Sequence, residues 1–289
     1  MLTKLSEIII GCMSWGAWGK QHSTSEMISL IHFCLDQGIS SFDHADIYGD
    51  YTTETAFGKA FIQSGVDREK VQLISKCGIQ YVGNTRSNRV KHYNYSKEYI
   101  IWSAEESLKN LQTDYLDVLL LHRPSPLMHP DEISEAVELL QKQGKIINFG
   151  VSNFTPSQMD LIQQKTPITT NQIEFSLTQN TSLDDGTLDY FMINNIKPMC
   201  WSPLGTVFKE SSEQTNRIME ALIDLSKKYN ATPDQLLLAW IYKHPAQITP
   251  VIGTTNTDRI KNAAVASKID LSLEDWFWLL EKSRGKKTA

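Results

Sequence analysis

Eight short, almost uninterrupted apolar runs punctuate this sequence, and a longer amphipathic stretch follows each. The runs are IIIGC (8–12), ISSFD (39–43), VQLIS (71–75), LDVLLLH (116–122), INFGV (147–151), TTNQIE (169–174), IKPMCW (196–201) and ITPVIG (248–253). A strand with one wet face alternates apolar and polar residues. A run without that alternation is a strand covered on both faces, as in parallel sheets flanked by helices. The intervening segments carry helix start signals. Thr155, Pro156 and Gln158 combine a capping box with proline at the first helical position, and Thr232, Pro233 and Gln235 repeat the pattern. Ser96 is placed to cap a helix, SLEDW (272–276) opens the last one, and Gly38 ends the first. Strand and helix alternate throughout with no linker or composition break. The expectation is an α/β chain forming one domain over residues 1–289, a (β/α)8 TIM barrel.

The rival architecture is a doubly wound dinucleotide fold. It needs G-x-G-x-x-G after the first strand, whereas Gly11, Gly16 and Gly19 have the wrong spacing. Tyr93 and Lys97 reproduce a Y-x-x-x-K reductase spacing without the nucleotide fingerprint that should accompany it. With 41% apolar and 21% charged residues the chain is globular, and a net charge of −5 gives no reason to expect a nucleic-acid partner. No apolar run approaches the roughly 20 residues that span a bilayer, and the N-terminus lacks a signal-peptide core. Cys12, Cys34, Cys77 and Cys200 form no C-x-x-C or Cys/His ligand pattern, so no metal is expected and the thiols read as small buried hydrophobes. These features fit a cytoplasmic protein acting on a small molecule, without a membrane, as a monomer or weak homo-oligomer.

Polar residues stand where barrel strands end, and barrel enzymes build their sites at the C-terminal ends of strands. Asp43 closes the second run and Tyr48 follows in its loop; Lys76 ends the third and His122 the fourth. Each alone has a structural reading: a turn acceptor, a rim aromatic, a snorkelling lysine, a satisfied histidine. Together they suit one chemistry. An ammonium stabilises a phenolate and so activates Tyr48 as an acid, a carboxylate holds the ammonium, and an imidazole orients a carbonyl oxygen. None of these groups donates hydride, so a reduction needs a nicotinamide. Ser152, Asn153 and Gln172 offer donors and acceptors to a carboxamide, and Trp201 offers a face for stacking. Ser202, Leu204 and Gly205 offer backbone N–H groups to a pyrophosphate. The GTTNTDRIKN segment begins a helix whose N-terminus attracts anions, with Arg259 nearby. The alternative of a metal-dependent hydrolase would use His44 and Asp46, but alternation sends His44 to the face opposite Asp43.

FDHADIYG, LISKCG, YLDVLLLHRPSP, GKIINFGVSNF, NQIEF, WSPLG and GTTNTDRIKN, in that order, resemble the motifs of the aldo-keto reductases over roughly residues 7–265, closest to a bacterial oxidoreductase branch. The resemblance implies a metal-free NADP(H)-dependent reductase of aldehydes or ketones. It makes Tyr48 the proton donor, Asp43 and Lys76 the groups that lower its pKa, and His122 the substrate-orienting residue. It assigns Ser152, Asn153 and Gln172 to the carboxamide, Trp201 to the ring, and Ser202, Pro203, Leu204 and Gly205 to the pyrophosphate. Thr254 and Arg259, with Asn262 nearby, fall at the 2′-phosphate and adenine end, and Ser14 and Trp15 border cofactor and substrate. Two departures stand out. Gly253 occupies the position of a basic residue, which leaves NAD(H) open as an alternative, and Ala263 replaces an asparagine.

Overall fold

The computed structural model describes residues 4–288. Its strands are β1 (Ile9–Gly11), β2 (Ser41–Asp43), β3 (Gln72–Cys77), β4 (Ile79–Gln80), β5 (His92–Tyr93), β6 (Leu116–Leu121), β7 (Ile146–Ser152), β8 (Thr170–Glu174), β9 (Lys197–Trp201) and β10 (Thr249–Ile252). Eight of them close a parallel barrel in the order β1-β10-β9-β8-β7-β6-β3-β2. All eight apolar runs lie in that barrel, with helices between them, as the sequence predicts.

Side-chain alternation decides what the barrel encloses. Ile9, Ile74, Val118, Leu120, Met199 and Val251 form a small inner cluster. Their neighbours Leu73, Leu119, Leu121 and Cys200 face outward into the main core under the helices. Two residues beyond an inner apolar side chain the next inner position follows. Ile74 thus leads to Lys76, Leu120 to His122, and Met199 to Trp201. One end of the lumen therefore holds an apolar plug, interrupted by the buried inward-facing Ser41, Asn148 and Thr170, and the other presents the polar groups of the mouth. Each fully buried plug residue contributes about 1.5–3 kcal/mol.

The helices start where their caps dictate. Gln158 accepts from the Thr155 N–H at 3.0 Å while the Thr155 hydroxyl accepts from the Gln158 N–H at 3.4 Å. Ser96 accepts from the Tyr99 N–H and Ser272 from the Asp275 N–H. Gly38, at φ 75°, follows the helix Thr24–Asp36. All four cysteines are buried and unpaired. No described helix is long and apolar enough to cross a membrane.

The segment after Lys76 holds an element the sequence did not reveal. β4 and β5 pair antiparallel, Ile79 opposite Tyr93 and Gln80 opposite His92. Gly78 makes the entry, at φ 110°, and a Cβ there would sit 1.9 Å from the Tyr95 ring. The segment is pinned to the turn after Tyr48. The Asp50 carboxylate accepts the N–H groups of Asn84 and Thr85 at 2.7 and 3.1 Å, and the Arg86 guanidinium lies 3.6 Å from the centre of the Tyr51 ring. The other long gap is a turn followed by the helix Glu213–Tyr229, as expected.

Candidate active site

Lys76 is the hub of the site. Its ammonium carries three N–H donors, and three acceptors surround it: Asp43 Oδ2 at 2.7 Å, the His44 carbonyl at 2.8 Å and the Tyr48 hydroxyl at 3.1 Å. Asp43 and Lys76 are 2% and 1% exposed, so neither charge is stabilised by water and each depends on the other. Burial alone would depress the Lys76 pKa, but the attraction of Asp43 and of Tyr48 outweighs it and raises it. The lysine is therefore held charged.

Tyr48 corrects an expectation. Burial pushes its phenol above the ordinary value; Lys76 pulls it down, and Asp43 pushes it up. The net direction is upward, where the sequence reading expected it lowered by both partners. The physical reason is that the ring is enclosed, and a phenolate loses more hydration there than one ammonium restores. The consequence suits an acid: Tyr48 keeps its proton, and Lys76 limits the cost of giving it up. Asp43 acts through Lys76 and opposes the phenolate directly.

The His122 ring lies edge-on to Tyr48, with centroids 6.0 Å apart. Burial, then the charges of Lys76, Arg123 and Lys91, hold its pKa well below the ordinary histidine value. It is a neutral imidazole, and its Nδ1 has no partner. His44 points the other way, packed 4.3 Å from the Phe57 ring centre. The described residues contain no group of three His, Cys, Asp or Glu side chains placed to hold a metal ion.

Across the mouth, the residues expected at the carboxamide are interlocked. The Trp201 indole N–H donates to Asn153 Oδ1 at 3.0 Å, Asn153 Nδ2 donates to the Ser152 hydroxyl at 2.8 Å, and that hydroxyl donates to the Gln172 carbonyl at 2.9 Å. Asn153 adopts the left-handed conformation at φ 61°, which aims its amide at the indole rather than capping the next helix. Gln172 Nε2 donates to Asp43 Oδ1 at 3.0 Å, tying this cluster to the acid set.

Ser202 to Gly205 form a tight turn, with Pro203 buried and Leu204 against the core. The Gly205 N–H donates to the Ser202 carbonyl at 2.8 Å, so it is used inside the turn and is not free for a phosphate, contrary to expectation. Glycine is required there because φ is 56° and a Cβ would lie 2.0 Å from the Thr178 hydroxyl. At the end of β10, the Ser14 hydroxyl donates to the Gly253 carbonyl at 3.0 Å. Asn256 caps the helix Thr257–Ala264 by accepting the Arg259 N–H, and the Thr254 hydroxyl accepts the Asn256 N–H. The Arg259 side chain is exposed, and Asn262 is half-buried with its carbonyl bonded by Gln235.

Trp15 is a third correction. It is fully buried, its ring packed on Phe42 and Phe57, so its side chain does not border the mouth. That position belongs to Trp18, whose ring lies 6.4 Å from Tyr48 and 5.1 Å from Tyr81. Trp18 and Tyr81 were not singled out in the sequence, and neither was Arg123, although it adjoins His122.

The profile of the aldo/keto reductase family matches residues 7–282. The oxidoreductase YcsN of Bacillus subtilis is 41% identical over 288 residues, covering 98% of this chain and 95% of YcsN. A 6-dehydroglucose reductase of Agrobacterium fabrum is 37% identical, covering 99% and 97%. Among solved structures, an aldo/keto reductase of Klebsiella pneumoniae in complex with NADP and acetate superposes with a TM-score of 0.79 at 25% identity, covering 99% and 93%. A glycerol dehydrogenase of Gluconobacter oxydans superposes at 0.86 with 21% identity, covering 100% and 95%. Barrel, polar mouth and matched profile agree: this chain belongs to the aldo/keto reductase family.

Proposed function

We propose that the protein reduces an aldehyde or ketone to an alcohol with NADP(H), Tyr48 giving the proton. The observation that carries this reading is the position of Lys76 Nζ, 2.7 Å from Asp43 and 3.1 Å from the Tyr48 hydroxyl. The residues fit a nicotinamide cofactor: a half-buried indole ends β9, hydroxyl and amide groups cluster beside it, and a capped helix N-terminus with Arg259 follows β10. When bound, the cofactor supplies the hydride. His122, neutral and beside Tyr48, orients the carbonyl oxygen toward the phenol. Tyr48 then protonates that oxygen, and Lys76, held charged by Asp43, stabilises the phenolate left behind. Ser152, Asn153 and Gln172 position the carboxamide, and Arg259 with Thr254 serves the 2′-phosphate end. Trp18 and Tyr81 wall the mouth beside Tyr48. Two relatives carry the name 6-dehydroglucose reductase, which makes a sugar aldehyde a natural first substrate to assay. Four buried thiols without a disulfide fit a reducing, cytoplasmic setting.

Tyr48→Phe tests the assignment. It should lower kcat for aldehyde reduction by about 10²–10⁴-fold, while NADPH still quenches tryptophan fluorescence. Wild-type turnover in that variant would remove Tyr48 from the mechanism. Absence of NADPH binding to the wild-type protein by calorimetry would remove the cofactor.

A further inference from the structure

Arg123 is placed for a task that proton transfer does not require. Its backbone is clamped by the buried Tyr95, whose hydroxyl donates to the Arg123 carbonyl at 2.5 Å and accepts from its N–H at 3.1 Å. From the end of β6 its guanidinium reaches over the mouth and lies 5.4 Å from the centre of the Trp201 ring at the end of β9. Two strands, β7 and β8, stand between β6 and β9 around the barrel, so the guanidinium overhangs the lumen. Arg68, Arg217 and Arg284 have carboxylate partners; among the described residues Arg123 has none.

The surroundings extend this positive charge. Residues 78–97 include Arg86, Arg89 and Lys91 but no Asp or Glu, in a chain whose net charge is −5. Arg86 is occupied with the Tyr51 ring and the Tyr99 hydroxyl. The charges of Lys91 and Arg123 both reach His122, the group placed to hold the carbonyl. This rim lies over β3 and β6, which stand opposite β9 and β10 in the closed ring, where the cofactor's phosphates are assigned. The backbone of this rim is therefore remote from the phosphates, although the Arg123 guanidinium itself reaches across to Trp201. An unpaired, half-buried guanidinium over a reaction site is suited to forked pairing with a carboxylate or phosphate oxygen pair.

We infer that the carbonyl substrate carries an anionic group, a carboxylate or a phosphate, which Arg123 binds while Lys91 attracts it from the rim. The inference rests on the carbonyl-reductase reading. Two matched pairs test it at saturating NADPH: succinic semialdehyde against butanal, and glyceraldehyde 3-phosphate against glyceraldehyde. The wild-type protein should favour the anionic member of at least one pair tenfold or more in kcat/KM, mainly through KM. Arg123→Gln should bring that ratio toward one, and the pair with the larger Arg123-dependent ratio identifies the anion. A wild-type ratio near or below one in both pairs overturns the inference, as does a ratio that Arg123→Gln leaves unchanged. Equal loss for both members together with weaker NADPH binding overturns it too, by placing Arg123 on the cofactor. Failure to turn over any of the four aldehydes instead refutes the underlying reductase reading.

Discussion

Lys76→Met removes an ammonium whose three acceptors all lie within 3.1 Å. The Asp43 carboxylate then remains buried with Gln172 Nε2 as its hydrogen-bond donor, at 3.0 Å. Stranding one member of a buried ion pair costs about 3–5 kcal/mol. At roughly 2–4 °C per kcal/mol this lowers Tm by about 6–20 °C. Adding Asp43→Asn removes the stranded charge and keeps an oxygen for Gln172 to donate to. The His44 carbonyl and the Tyr48 hydroxyl still lack their donor, at about 1 kcal/mol each. The double variant should therefore recover about 1–3 kcal/mol of the stability. It should recover none of the activity, because the Tyr48 phenolate still lacks its ammonium, and kcat should stay down by about 10²–10⁴-fold. Thermal unfolding of the four proteins of the cycle, alongside aldehyde reduction with NADPH, reads both quantities. The reasoning fails if Lys76→Met costs less than about 1 kcal/mol, or if the double variant turns over like the wild type.

Two further outcomes follow from the structure. Asp46 is buried, and desolvation followed by repulsion from Glu54 lifts its carboxyl from 3.8 to about 7. A folded pKa above the unfolded one contributes stability that is fully present below about pH 4 and is lost as pH rises through about 7. Asp46→Asn should therefore raise Tm relative to the wild type more at pH 8 than at pH 5, by an amount corresponding to a few kcal/mol at most; an equal difference at both pH values would exclude the titration. Gly253 is exposed, and a Cβ there would meet nothing within 4 Å. Gly253→Lys should strengthen NADPH binding relative to NADH by about fivefold, the worth of one exposed charge pair, and equal effects on the two cofactors in KM measurements would count against the phosphate assignment at this end.

What the sequence made legible followed from local rules. The barrel strands were visible because both of their faces are covered, leaving unbroken apolar runs. Asp43, Lys76 and His122 stood out because each ends or directly follows such a run. What stayed hidden depended on tertiary packing. Trp15 and Trp18 lie three residues apart in an irregular loop with no period, so nothing local tells which ring is buried under Phe57 and which faces Tyr48. The β4–β5 pair is two residues long in each strand and spans a polar loop, too little for a periodic signal. The sign of the Tyr48 shift required knowing how completely the ring is enclosed. Asp46 and Glu54 are eight residues apart and come within electrostatic reach across the turn between β2 and the helix Thr53–Ser64. Arg123 was overlooked because an arginine before proline reads as an ordinary surface residue; its overhang depends on Tyr95, 28 residues earlier in the chain.

The bond from Gln172 to Asp43 joins β8 to β2, strands four places apart in a ring of eight, which face one another across the lumen. It is a crossbeam. Widening the barrel at this level would break a buried hydrogen bond to a charged group, worth about 1.5–3 kcal/mol, so the distance between the two walls is set by this bond as well as by the sheet. Beneath it sit Ile74, Val118, Leu120 and Met199, apolar side chains that back the polar groups of the mouth. The chain of bonds from Gln172 through Asp43 and Lys76 to Tyr48 therefore spans the full width of the barrel, so a change on the far wall reaches the phenol without touching it.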